Sequence, residues 1–142
     1  MVTSRKKSLF GTKEEIIPVD VTVPIFHGSY GEDGCIQGLF EMVNIPYAGS
    51  GVLGSCVAMN KYVCKKYLEI HGIPALPAVL IQKRSFMKDS EKVINQSLQT
   101  EGLTSYPLFV KPNNLGSSVG VSKAKNKDDL LAGLVKVFQV DL

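Results

Sequence analysis

The sequence predicts an α/β protein in which two architectures meet near Met59–Asn60. Three observations carry that reading. Short runs rich in β-branched residues alternate with segments whose apolar side chains recur at helical spacing. In the first half a run ends in a glycine-rich turn that leads into a helix, the order of a parallel strand–helix–strand unit. In the second half two short runs flank a compact loop, Val110-Lys111-Pro112-Asn113-Asn114-Leu115-Gly116-Ser117-Ser118-Val119-Gly120-Val121, which reads as a connection between two paired strands.

The elements follow in order. Val19 to Phe26 is dense in β-branched residues and fits a buried strand whose end is marked by Pro24. The turn His27-Gly28-Ser29-Tyr30-Gly31-Glu32-Asp33-Gly34 comes next. Asp33 is placed to cap a helix reaching Asn44, in which Ile36, Leu39, Phe40 and Val43 share a face, and Pro46 stops it. Ile45 to Gly49 reads as a brief second strand. Ser50 caps a short helix ending near Met59, and Asn60 caps the next, where Val63, Tyr67 and Ile70 form a stripe closed by Gly72 and Pro74. Met42, Met59, Tyr62 and Tyr67 read as core or core-edge residues. Ala78 to Ile81 is a strand, and Asp89 caps a weakly patterned helix to about Thr100. Tyr106 to Lys111 and Val119 to Lys123 are strands. Asn126 caps a last helix with Leu130, Leu131, Leu134, Val135 and Phe138 on one broad face and Asp129 three residues after the cap. A parallel sheet of two or three strands leaves edges and apolar faces open, so the chain is expected to belong to a larger machine or to associate.

Composition narrows the function classes. The 142 residues are 44% hydrophobic and 20% charged, with a formal charge of +3, an ordinary globular balance. Arg5-Lys6-Lys7 and Lys65-Lys66 are short clusters, which argues against nucleic-acid binding. Cys35, Cys56 and Cys64 form no C-x-x-C pair and, with only His27 and His71 beside them, no zinc spacing. They read as small buried or half-buried side chains in a reducing compartment. No apolar run approaches the roughly 20 residues needed to span a bilayer, and no apolar run follows the N-terminal basic cluster as in a signal peptide. The reading is cytoplasmic, with neither membrane nor nucleic acid as partner.

The local chemistry leaves alternatives open. In the loop after Lys111, glycine amides near Gly116 and Gly120 and the hydroxyls of Ser117 and Ser118 can converge on an anion, with Lys111 adding a compact positive charge. Equally, the two glycines satisfy the geometry of a tight turn. The loop is not a Walker A motif, and no G-x-G-x-x-G follows a strand as dinucleotide binding requires. His27 stands where strand meets loop, the usual ligand position in α/β proteins, or is satisfied by local backbone. Asp33 is explained as a cap, which leaves Glu32 freer for acid–base or supporting work. Lys61 opposes the helix dipole at its own N-terminus, a placement that fits a phosphate facing the same helix end, or an ordinary surface lysine.

Taken in order, these segments resemble a known family. His27-Gly28-x-x-Gly31-Glu32-Asp33-Gly34, Gln37-Gly38, Ile45-Pro46-Tyr47-x-Gly49-Ser50-Gly51, Ala58-Met59-Asn60-Lys61, Gly72-Ile73-Pro74, Lys111-Pro112 and Gly116-Ser117-Ser118-Val119-Gly120 are collinear with the D-alanine–D-alanine ligases, members of the ATP-grasp superfamily. The resemblance runs from about Val19 onward. It implies that residues 1–59 are the latter part of a Rossmann-like (pre-ATP-grasp) substrate domain and residues 60–142 the first, central lobe of an ATP-grasp fold. It further implies that Lys61 and Lys111 contact ATP phosphates, and that Gly116, Ser117, Ser118 and Val119 bind the nucleotide, covering the γ-phosphate. Ser117 is implied near the first D-alanine, which His27 helps hold with Glu32 in support.

The implied reaction makes D-alanyl-D-alanine for peptidoglycan precursors through an acyl phosphate, with Mg2+ as cofactor and a homodimeric full-length parent. Asn60 stands where the family usually has aspartate, and both residues cap helices well. The family's early glycine-rich segment, its lid tyrosine and its carboxyl-terminal lobe with the magnesium ligands are not matched in these 142 residues. By themselves they are therefore expected to be inactive. The rival readings are a sister ligase making D-alanyl-D-serine or D-alanyl-D-lactate, and a non-catalytic nucleotide-binding remnant.

Overall fold

The computed structural model describes residues 2–8, 11–116 and 118–141. Its first element is a hairpin that the hydrophobic pattern does not announce. Strands β1 (Val2–Ser8) and β2 (Gly11–Ile17) pair antiparallel, with Val2 opposite Ile17 and Ser8 opposite Gly11. The register sets Arg5 across from Glu14. The residues Val2–Ser8 and Gly11–Ile17 show no apolar alternation, so the periodicity of a half-buried strand does not mark them.

The parallel unit expected next is present in its smallest form. Thr22 bridges Tyr47 in parallel: the Thr22 amide donates to Pro46 O at 2.9 Å, and the Ala48 amide donates to Thr22 O at 2.9 Å. Neither expected strand extends into a ladder. Pro24 and Pro46 have no amide to contribute, which confines pairing to one bridge. The strand read as buried is instead open, with Val23 and Ile25 69% and 81% exposed.

Helix α1 (Cys35–Met42) lies between the two bridge residues, and α2 (Val52–Met59) and α3 (Lys61–Ile70) follow. The α1 N-cap is Gly34 in the left-handed region (φ 95°), one residue after the expected Asp33. Gly51, not Ser50, occupies the N-cap of α2, and no side chain caps that end. Asn60 caps α3 as expected, its Oδ1 accepting from the Val63 amide at 2.9 Å. The α3 stripe is a correction: Val63, Tyr67 and Ile70 are exposed, as is Met42 on α1. Cys35 and Cys56 are exposed too, against the expectation of burial, and Cys64 is half-buried.

Residues 78–81 form no strand. Pro74 and Pro77 remove donors just before them, and among the described residues no strand pairs with them. Helix α4 (Lys83–Lys88), which hydrophobic spacing does not reveal, is followed by α5 (Ser90–Ser97). Asp89 Oδ1 caps α5 from the Lys92 amide at 2.9 Å, and the helix ends before the expected Thr100. Strands β3 (Leu108–Val110) and β4 (Ser122–Ala124) pair antiparallel, and α6 (Lys127–Val137) packs on them. Asn126 caps α6 through the Asp129 amide at 2.8 Å, while the Asp129 carboxylate accepts from the Lys125 amide at 2.9 Å.

The core lies wholly in this second half. Phe86, Ile94, Val110, Ala124, Leu130, Leu134 and Val137 are buried together, with Ile81, Leu98, Tyr106, Leu108 and Phe138 packed against them. Alternate residues of β3 and β4 and one face of α6 supply most of it, as a hairpin covered by a helix demands. No described helix is long and apolar enough to cross a membrane.

Candidate functional site

Three segments meet at the candidate site: the turn 27–34, the start of α3 and the loop 111–121. The turn is held by its own backbone and two acidic side chains. The Gly31 and Glu32 amides donate to Gly28 O at 3.2 and 3.0 Å, and Glu32 Oε2 accepts from the Gly28 amide at 2.5 Å. Gly28 takes φ 76°, which suits glycine. At Gly31 a Cβ would fall 2.3 Å from the Phe26 Cβ, so only glycine fits. Buried Gln37 donates to Gly31 O at 3.2 Å and ties the turn to α1.

Asp33 works in both directions along the chain. Its Oδ2 accepts from the Tyr30 amide at 2.7 Å and its Oδ1 from the Cys35 amide at 3.1 Å. The Tyr30 amide chiefly, helped by Cys35, holds the Asp33 carboxyl below its ordinary value of 3.8. In return, the Asp33 carboxylate raises the Cys35 thiol pKa. His27, at the head of this turn, is exposed, and its ring makes no hydrogen bond among the described residues.

The second segment behaves differently from its sequence reading. All three first amides of α3 are occupied: Lys61 N donates to Asn113 O at 3.0 Å, Tyr62 N to Asn113 Oδ1 at 3.0 Å and Val63 N to Asn60 Oδ1. The helix end is thus filled by the loop itself and is not open to a phosphate. The Lys61 ammonium donates to Leu115 O. An ammonium has three donors, and among the described residues only this one is engaged, which leaves capacity to meet an anion.

The third segment, the loop, rises from β3. Lys111 is exposed, its Nζ 6.0 Å from the centre of the Phe109 ring. Pro112 is fully buried, and Asn60 Nδ2 donates to Asn114 Oδ1 at 3.0 Å. The tip makes two turns, with Val119 N donating to Gly116 O and Val121 N to Ser118 O, both at 3.2 Å. Ser118 is held at φ 58° and, like Val119, is exposed. Ser117 lies outside the described residues.

The first and third segments touch. A Cβ placed on Gly116 would lie 3.9 Å from Glu32 Oε2, so the loop stands against the turn 27–34. Of the residues singled out from sequence, the fold therefore brings Glu32, Lys61 and Gly116 into one neighbourhood, with His27 beside Gly28 on the same turn. The sequence reading passed over Asn113 and Asn114, which fasten the loop to α3. Asparagine's habit of bonding nearby backbone was the available signal. Among the described residues no group of three or more His, Cys, Asp or Glu side chains is arranged to hold a metal.

Comparison with known proteins covers nearly the whole chain. Residues 2–50 match the family model described as D-ala D-ala ligase N-terminus, and residues 67–142 match D-ala D-ala ligase C-terminus. A D-alanine--D-alanine ligase of Listeria innocua is 47% identical over 121 residues, covering 85% of this chain and 32% of the relative. The structure of the D-alanine-D-alanine ligase from Coxiella burnetii superposes with a TM-score of 0.80 at 31% identity, over 96% of this chain and 40% of that one. The VanG D-Ala:D-Ser ligase of Enterococcus faecalis gives 0.75 at 37% identity, over 92% of this chain and 37% of that one. The chain spans about a third of the length of the curated relatives it matches.

Proposed function

The chain belongs to the D-alanine–D-alanine ligase family, and from that premise we propose that it is the part of such a ligase that grips ATP phosphates beside the first D-alanine. The supporting observation is the approach of the Glu32 turn to Gly116, which brings the turn 27–34 against the glycine–serine loop. In this reading residues 1–59 close the substrate domain and residues 60–142 form the central ATP-grasp lobe. The two separately matched family segments support that division.

The reaction joins two D-alanines in the cytoplasm for peptidoglycan. A carboxylate oxygen of the first attacks the γ-phosphorus of ATP, and ADP leaves. The amine of the second then attacks the acyl carbon, phosphate departs, and the amine gives up a proton. Such chemistry asks for positioning and charge neutralisation. Lys61 and Lys111 supply positive charge to the phosphates. Gly116, Ser117, Ser118 and Val119 act on the γ-phosphate, and Ser117 also serves the first D-alanine. His27 holds that D-alanine, and Glu32 braces the turn through the Gly28 amide. Mg2+ accompanies ATP in this chemistry, and no described residue of this chain is assigned to it.

The test is phosphate release in a protein of family length carrying these residues. Release should require both ATP and D-alanine, and Lys111→Ala should lower kcat/KM by about a hundredfold or more. Residues 1–142 alone should release none. Release independent of D-alanine, or an unaffected Lys111 variant, would overturn the reading. A D-alanine–D-serine activity is the second reading, favoured by the 37% identity to the Enterococcus faecalis enzyme. Offering both amino acids together and weighing the dipeptide product separates the two.

A further inference from the structure

The segment after α6 touches both stems of the loop. On the incoming stem the Asp141 carboxylate, through Oδ2, accepts from the Asn113 amide at 2.6 Å and from the Asn114 amide at 3.2 Å. On the outgoing stem, a Cβ on Gly120 would lie 3.1 Å from Val140 Cγ2 and 3.0 Å from Pro112 Cγ. Gly120 itself takes φ 72°, and Pro112 is fully buried between the stems. Two neighbouring residues thus buckle the neck of the loop while its tip, at Ser118 and Val119, stays exposed.

Asp141 also governs what Asn113 can offer. With its amide fixed by Asp141, Asn113 presents its carbonyl to Lys61 N and its Oδ1 to Tyr62 N. The next carbonyl but one, Leu115 O, then meets the Lys61 ammonium. One carboxylate accepting two amides therefore sets the position of both the loop base and the lysine beside it. Bonds to a charged acceptor are about twice as strong as neutral ones, which suits a fixed base for the loop.

We propose that Asp141 is a positioning residue for ATP binding: it pins Asn113 and Asn114 so that the loop tip and Lys61 are presented to the phosphates together. The proposal rests on the ligase reading above, and its test separates the two. In residues 1–142, hydrogen exchange at the Asn113 and Asn114 amides should quicken by about tenfold or more in Asp141→Ala, with the α5 and α6 amides unchanged. Asp141→Asn keeps one acceptor oxygen and should restore part of the protection. In a protein of family length, Asp141→Ala should raise the KM for ATP by about tenfold and leave that for D-alanine within about twofold.

Unchanged exchange at Asn113 and Asn114 overturns the proposal, as does a loss of protection spread evenly over α5, α6 and the loop. An equal rise in both Michaelis constants overturns it as well. If the exchange result holds but no ATP- and D-alanine-dependent turnover exists, the pin stands as a loop anchor, and both the ligase reading and the role in ATP binding fail.

Discussion

At the scale of single residues, Asp33 shows how one carboxylate shapes a turn from both sides. Its two oxygens take the Tyr30 and Cys35 amides, and Tyr30 is held at φ 67°, a region that a tyrosine rarely visits unaided. Removing the carboxylate in Asp33→Ala frees both amides, at a cost of about 1–2 kcal/mol in stability. The pH dependence has a definite sign. The folded-state pKa lies below the ordinary 3.8, so the contribution is fully present above that value. It drains away as pH falls through the lower folded value. Urea midpoints of the parent and Asp33→Ala should therefore differ at neutral pH and converge below 3.8. A gap that persists unchanged well below 3.8 would show that the charge of Asp33 contributes nothing.

At the scale of elements, α6 packs closely on the β3–β4 hairpin at Gly133. A Cβ on Gly133 would stand 2.6 Å from Ser122 Oγ and 3.2 Å from Val110 Cγ2. The Ser122 hydroxyl is buried there without a hydrogen-bond partner among the described residues. Alanine at 133 gains up to about 1 kcal/mol of helix propensity, but overpacking costs about 1–3 kcal/mol, and at 2.6 Å the clash wins. Gly133→Ala should lower the melting temperature. Ser122→Ala, which deletes the nearest atom and an unsatisfied hydroxyl, should be neutral alone and should rescue Gly133→Ala. Additive effects in the double variant would rule out this contact as the cause.

Elements were legible where their cause is local. Asn60, Asp89 and Asn126 cap their helices as their sequence positions require, because a cap needs only its own next few residues. The strands assigned to Val19–Phe26 and Ala78–Ile81 did not form ladders, since a strand exists only through a partner that periodicity cannot supply. The hairpin β1–β2 escaped because its residues carry no apolar alternation for periodicity to find. At the site, the glycine turn and the loop were legible from residue types and their order. Filling of the α3 N-terminus by Asn113 and anchoring of the loop by Asp141 were not, because these contacts join residues 51 and 28 positions apart.

At the scale of the whole molecule, burial is divided unequally along the chain. Every buried large apolar side chain among the described residues belongs to the stretch from Phe86 to Val137. Before residue 60 the buried polar side chains among the described residues are Gln37 and Ser55, while Val21, Val23, Ile25, Leu39, Met42 and Leu53 face solvent. Burial of a leucine-sized side chain is worth about 1.5–3 kcal/mol, so the second half holds most of the hydrophobic stabilisation. Local opening free energies follow that distribution. Hydrogen exchange should therefore protect the amides of α5, β3, β4 and α6 most strongly, with α1 and α2 exchanging well before them. The open apolar surface of the first half should also bind a hydrophobic dye such as ANS in the folded state, and binding should fall when Val23 and Ile25 are replaced by threonine. Equal protection of α1 and α6 would mean that the first half is held by contacts this distribution of burial does not contain. If dye binding persisted in the Val23→Thr, Ile25→Thr variant, other exposed apolar side chains such as Val21, Phe26, Met42 or Leu53 would have to hold the dye instead.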